Sequence, residues 1–162
     1  MKNKRKFLKR FLWTIAIVFL LMNVIAIFHS YRLTHFVDSN VEKTKDARKL
    51  STGEKIATLI FGVNNPRPTN TKLPSGEFEV VNLNSNKKIE CWSIKTEGAK
   101  GTVIIFHGFA AAKSSMLDKA EVFKEQGYNT LLVDFMGSGG SEGNQTTIGF
   151  AEAEEVKTCY DY

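Results

Sequence analysis

Gly139-Gly140-Ser141-Glu142-Gly143 matches the pattern G-x-S-x-G. That spacing serves one kind of chemistry, a serine hydroxyl held on a sharp turn between a strand and a helix and attacking a carbonyl. The surrounding residues do not supply such a turn. The apolar run Thr130-Leu131-Leu132-Val133 stops near Asp134, several residues too early, and Asn144-Gln145-Thr146-Thr147 offers no helix before about Thr147. Ser141 is therefore expected to be structural, in a loop with Asp134, Gly137 and Gly139. Asp134 is expected to cap that loop through backbone N–H groups, as short acids do in turns. A second motif, His107-Gly108-Phe109, directly follows the apolar run 102–106. Cys91 and Cys159 lie far apart and form no C-x-x-C pair. They are expected as two free buried thiols, and no metal or cofactor is expected.

These motifs need elements to hold them. Residues 78–83 and 88–94 are extended runs separated by the turn Asn84-Ser85-Asn86-Lys87, which predicts an antiparallel hairpin. Thr102-Val103-Ile104-Ile105-Phe106 is continuously apolar and β-branched, which suits a strand buried on both faces of a parallel sheet. Ser114 or Ser115 is expected to cap a helix with Met116, Ala120 and Phe123 inward, ended by Gly127. The run 130–133 is the next buried strand. Phe150, Ala153, Val156 and Tyr160 then predict the inner face of a last helix. The order hairpin, strand, helix, strand, helix predicts an α/β fold.

The chain has 162 residues, 22 basic against 17 acidic, a net charge of +5. Six of the basic groups (Lys2, Lys4, Arg5, Lys6, Lys9 and Arg10) stand in the first ten residues, which leaves 16 basic against 17 acidic elsewhere. A nucleic-acid surface is therefore not expected, because the one basic cluster abuts an apolar run. That run, residues 11–28, holds 18 residues without a charge. As a helix it would be roughly 27 Å long, near the thickness of a hydrocarbon core. Basic residues ahead of it favour a cytoplasmic N-terminus. Its poor small-residue site points to an uncleaved signal anchor, although Val24-Ile25-Ala26 leaves cleavage open. A buried core helix is a third reading, against which the basic flank speaks.

Residues 29–76 read as a polar stalk or cap. Ser39/Glu42 and Ser51/Glu54 have capping-box spacing, and Asn64-Asn65-Pro66-Arg67-Pro68 must be extended. The expected organisation is a basic cytoplasmic tail over 1–10, a membrane anchor over 11–28, the stalk over 29–76 and an α/β core over 77–162.

Strand-His107-Gly108-Phe109, helix, then strand-Asp134-Phe135-Met136-Gly137-Ser138-Gly139-Gly140-Ser141-Glu142-Gly143 resembles the N-terminal half of the α/β-hydrolase superfamily. The resemblance is closest to its serine-aminopeptidase-like and monoacylglycerol-lipase-like branch, and residues 61–70 are similar to membrane-anchored bacterial members. It covers residues 78–162, about half the chain. The resemblance implies acyl transfer through a serine. The backbone N–H of Phe109 would be one oxyanion donor, Gly108 would let the backbone turn in close, and His107 would support the loop rather than act as general base. It also implies the triad order Ser, Asp or Glu, His. His107, Asp134 and Ser141 stand in the wrong order to form that triad. The nucleophile, acid and histidine would then lie beyond Tyr162, with a further apolar strand and G-x-S-x-G within about two dozen residues. The next strand would pair beside 102–106, which is otherwise an open edge. The expected function is the N-terminal part of a membrane-anchored serine hydrolase acting on an ester, amide or peptide bond, with the lipid bilayer and a small-molecule or peptide substrate as partners. Two alternatives stay open: a non-catalytic, membrane-tethered interaction module, and another reaction on the same fold, such as dehalogenation.

Overall fold

The computed structural model describes residues 2–162, with side chains from residue 4 onward. Met1 and the side chain of Lys2, both in the basic tail, fall outside that description. The chain divides into two units, one of Met1–Leu33 with Thr44–Val63, the other of Thr34–Lys43 with Asn64–Tyr162.

The first unit holds helix α1 (Lys2–Thr34) and helix α2 (Thr52–Phe61). Lys4–Thr34 is long and apolar enough to cross a membrane, and none of its apolar window is buried. The two polar side chains of its uncharged run 11–28 are satisfied within the helix. Thr14 Oγ1 donates to the Arg10 carbonyl at 3.0 Å, and Asn23 Nδ2 to the Phe19 carbonyl at 2.8 Å. Such self-satisfaction is what hydrocarbon demands of a polar group. Helix α2 begins at a capping box: Glu54 N–H donates to Ser51 Oγ, and Ser51 N–H to Glu54 Oε2. The same spacing at Ser39 and Glu42 starts no helix, because residues 39–41 form a turn closed by the Val41 N–H on the Asp38 carbonyl.

The second unit is a four-stranded sheet in the order β1-β2-β4-β3, made of β1 (Glu79–Asn84), β2 (Lys88–Ile94), β3 (Thr102–Phe106) and β4 (Asn129–Val133). β1 and β2 are the expected antiparallel hairpin, with Glu79 opposite Ser93. β2 pairs antiparallel with β4 (Cys91 opposite Val133), and β3 pairs parallel with β4 (Thr102 opposite Asn129). Alternation along β2 and β4 divides the core between two faces. Ile89, Cys91, Leu131 and Val133 pack on one face with Cys159 of helix α4 (Glu152–Asp161); Trp92, Ile94 and Leu132 pack on the other with Ala120 of helix α3 (Leu117–Glu125). The two cysteines, 68 residues apart in sequence, thus meet in one cluster as free thiols.

Three expectations change. β3 is not buried on both faces: it is one of the two sheet edges, and only Ile105 of it is buried. Neither Ser114 nor Ser115 caps α3, because a 3₁₀ turn (Lys113–Met116) intervenes and Ser115 Oγ donates to the Ala112 carbonyl instead. On α4 the inward residues are Glu152, Glu155 and Cys159, while Phe150 and Tyr160 are 89% and 81% exposed. The helix is turned one residue from the face its apolar pattern predicts, because its two acids accept hydrogen bonds inside.

The second unit also takes in residues read as stalk. Phe36 N–H donates to the Asn144 carbonyl, Val37 N–H to the Asn65 carbonyl and Arg67 N–H to the Val37 carbonyl. The extended stretch 64–70 is held by these bonds alongside the globular part.

Candidate active site

β3 delivers His107 to the carboxyl end of the sheet, where its ring is nearly buried. Nε2 accepts the Phe135 N–H at 3.1 Å, so the proton sits on Nδ1, which donates to the Gly108 carbonyl at 2.8 Å. Burial lowers the pKa of His107, against a smaller upward pull from its Gly108 bond and from Asp134, whose Oδ1 is 4.0 Å away. The imidazole is therefore neutral at pH 7 with both nitrogens engaged in fixing the loop. It has no free nitrogen to act as a base. Phe135 completes the clasp, stacking on Phe106 at 5.1 Å between centroids.

The loop that follows departs from the expected part of Gly108. A Cβ at Gly108 would meet nothing within 4 Å. The left-handed position is Ala110, at φ 52°, a conformation unfavourable for any residue with a side chain. The Phe109 N–H has no acceptor among the described residues. Beside it opens an apolar cavity of about 290 Å³, walled by Phe36, Phe109, Phe135, Met136, Ile148 and Val156. This size lies at the lower end for small-ligand pockets.

The glycine loop lies behind this cavity and is built around one carboxylate. Asp134 is fully buried; it accepts from the Lys113 N–H (2.7 Å), Lys113 Nζ (2.5 Å), Asn70 Nδ2 (2.7 Å) and the Gly140 N–H (2.9 Å). Burial pushes its pKa up, but the bonds from Lys113 and Asn70 outweigh burial and hold it below the usual value. Gly139 has φ +50°, and a Cβ there would fall 1.8 Å from Asp134 Oδ2; at Gly137, with φ +76°, it would fall 2.4 Å from the Gln145 carbonyl. Neither position can carry a side chain. Ser141 is 2% exposed, and its Oγ donates to the Asp134 carbonyl at 2.6 Å and accepts the Glu90 N–H at 2.8 Å. A hydroxyl so committed faces no substrate.

No protein-family model matches this chain, and no curated protein does. Solved structures do match. An esterase of Pyrococcus furiosus, Pf2001, is 31% identical over 61% of this chain and 41% of its own, with a TM-score of 0.55. The fold is that of the α/β hydrolases. A second crystal form of the esterase gives 30% identity over 60% and 40% of the two chains, also at TM-score 0.55. An α/β hydrolase from Vibrio vulnificus overlaps 80% of this chain and 48% of its own, at 15% identity and a TM-score of 0.45, too loose to argue from. The chain spans 41% of the length of the esterase. In this sheet β1 and β3 are the two edge strands.

Several residues of this α/β-hydrolase unit were not singled out from the sequence. Lys113 is fully buried; it bridges Asp134 and Glu90 Oε1 (2.8 Å), with its ammonium 4.4 Å from the centre of the Trp92 ring. The available signal was one charge set directly after Ala110-Ala111-Ala112. The apolar face predicted for α4 leaves Glu152 and Glu155 off it, yet both are buried.

These two acids respond oppositely to similar burial. Glu152 accepts from Thr146 Oγ1, the Thr147 N–H and Oγ1, and the Gly149 N–H. Burial raises its pKa, but those bonds win and lower it to about 2. Glu155 accepts only the Met136 N–H at 3.0 Å, and its Oε1 has no partner among the described residues. Burial there wins over that one bond, helped by the charge of Glu152, and the pKa rises to about 7 from the usual 4.5. Below pH 4.5 both folded and unfolded chains keep the Glu155 proton. Between 4.5 and about 7 the unfolded chain gives it up first. Stability is thus expected to fall as pH rises through that window and to level off above it. Glu155→Gln should flatten this limb in urea titrations across the window. The Glu152 contribution is lost on the other side, as pH falls from 4.5 toward 2, so the acid limb should remain in Glu155→Gln. An unchanged slope between pH 4.5 and 7 would refute the assignment.

Proposed function

We propose that this chain is the N-terminal part of a membrane-anchored α/β serine hydrolase of the serine-aminopeptidase-like or monoacylglycerol-lipase-like branch. It acts on an ester, amide or peptide bond, with its nucleophile, acid and histidine beyond residue 162. The observation that carries this reading is the Phe109 N–H, which has no acceptor among the described residues, at the mouth of an apolar cavity on the loop that follows β3. A donor so placed, on a loop locked by His107, suits an oxyanion that develops during acyl transfer. The reading is supported further by the esterase at 31% identity and by exposed apolar side chains that line the cavity, Phe109 and Ile148. The anchor is α1, with the basic tail in the cytoplasm and the globular unit outside. The partners are the bilayer and a small-molecule or peptide substrate, not nucleic acid.

Labelling with a fluorophosphonate, in membranes carrying the full-length gene product, tests this. One adduct is expected, on a serine beyond residue 162 within a G-x-S-x-G, and residues 1–162 alone should neither label nor hydrolyse a p-nitrophenyl ester. Ser141→Ala should label like the native protein while losing about 1–3 kcal/mol of stability, since the Glu90 N–H loses its acceptor. An adduct on Ser141, or no labelling of the full-length product at all, would overturn the proposal.

A further inference from the structure

Helix α2 carries an apolar face that its own unit leaves open. Ile56, Leu59 and Ile60 recur at the one-face spacing of a helix and are 54%, 68% and 38% exposed. Glu54 and Thr58 occupy the other side, and Lys55 flanks the apolar face beside Leu59. The C-terminal end of α2 is fastened to α1. Phe61 meets Phe28 edge-on at 6.3 Å, and His29 Nε2–H donates to the Leu59 carbonyl at 2.8 Å. Gly62, at φ +80°, approaches α1 so closely that a Cβ would lie 3.1 Å from Arg32 Cβ. Phe28 and His29 mark the point where the uncharged run of α1 ends. The apolar face of α2 therefore stands at the level where α1 leaves the hydrocarbon and continues its lipid-facing surface.

We propose that α2 is an interfacial helix, its Ile56-Leu59-Ile60 face sunk into the boundary of the bilayer that α1 crosses. This rests on the reading of α1 as a membrane span. Short amphipathic helices bind at that depth by apolar burial together with attraction of basic groups to anionic lipid. Here Lys45, Arg48, Lys49 and Lys55 outnumber Asp46 and Glu54 over residues 45–55. Lipid is favoured over a protein partner because the face is continuous with the span through the contacts at Phe28 and His29.

The test uses the full chain in mixed phosphatidylcholine–phosphatidylglycerol vesicles. A nitrobenzoxadiazole label is placed in turn on Leu59→Cys, Ile56→Cys, Glu54→Cys and Ile17→Cys; the native thiols are buried, and the unsubstituted chain sets the background. The expected result is a blue-shifted label at 59 and 56. Nitroxide near the headgroup should quench those positions about threefold or more over 54, as burial of one face predicts. Position 17 should be quenched by nitroxide deep in the acyl chains. Equal quenching at 59 and 54 with deep quenching at 17 would sink the interfacial helix and leave the span standing. A blue shift at 59 without lipid quenching would assign the face to protein instead. Loss of deep quenching at 17 would overturn the span itself, and this proposal with it.

Discussion

Replacing Lys113 with methionine is expected to cost about 3–5 kcal/mol of stability, the range for stranding one member of a buried ion pair. The ammonium is fully buried between Asp134 and Glu90, and no solvent reaches the Asp134 carboxylate to take over its role. Methionine keeps most of the volume, so the loss isolates charge from packing. Adding Asp134→Asn should recover part of it, because the uncompensated anion is then gone while a carbonyl still accepts from the Gly140 N–H. Urea midpoints of the four chains in this cycle give the coupling. If the double variant loses the full sum of the two single losses, Lys113 and Asp134 do not act as a pair.

On the proposed hydrolase reading, removing the Phe109 N–H from the full-length protein should lower kcat about 10²–10³-fold, the cost of one oxyanion donor. An amide-to-ester replacement at that position does so while keeping the phenyl ring, which is half-exposed and tilted against Phe36 at 6.4 Å. KM should change little, because the hydrogen bond matures only as the carbonyl oxygen gains charge. Phe109→Leu, which keeps the N–H, should retain kcat. A loss below about threefold in the ester variant would take Phe109 out of the oxyanion hole.

The elements that place Phe109 were legible because their signals are local. β2 and β3 match their apolar runs residue for residue, and β4 begins one residue earlier, at Asn129. The turn at 84–87 and the positive-φ Gly127 after α3 are also where residue type alone puts them. The site around them was less legible, because its contacts are long-range. Nothing in the neighbourhood of Lys113 shows that a carboxylate 21 residues on and another 23 residues back will enclose it. On α4, periodicity put the apolar residues inward. The acceptors needed by Met136, Thr147 and Gly149 decided otherwise, because a buried N–H left unpaired costs more than an exposed phenyl ring. In the loop after β3, glycine identity points to a sharp backbone turn at Gly108, yet the left-handed residue is Ala110, two positions later. Strain of that kind leaves no trace in residue type.

The Asp134 carboxylate gathers partners 64, 21 and 6 residues away in sequence. Bringing Asn70 to it closes a long loop for a single side-chain bond, which disfavours that contact before the sheet has formed. The Asn70 contact is therefore expected to form after the main folding barrier, an order that a φ-value near zero for Asn70→Ala would check. Contacts absent from the transition state act on the reverse reaction, so the hub slows unfolding and scarcely touches the rate of folding. Such a device would set the lifetime of the folded unit rather than its speed of formation.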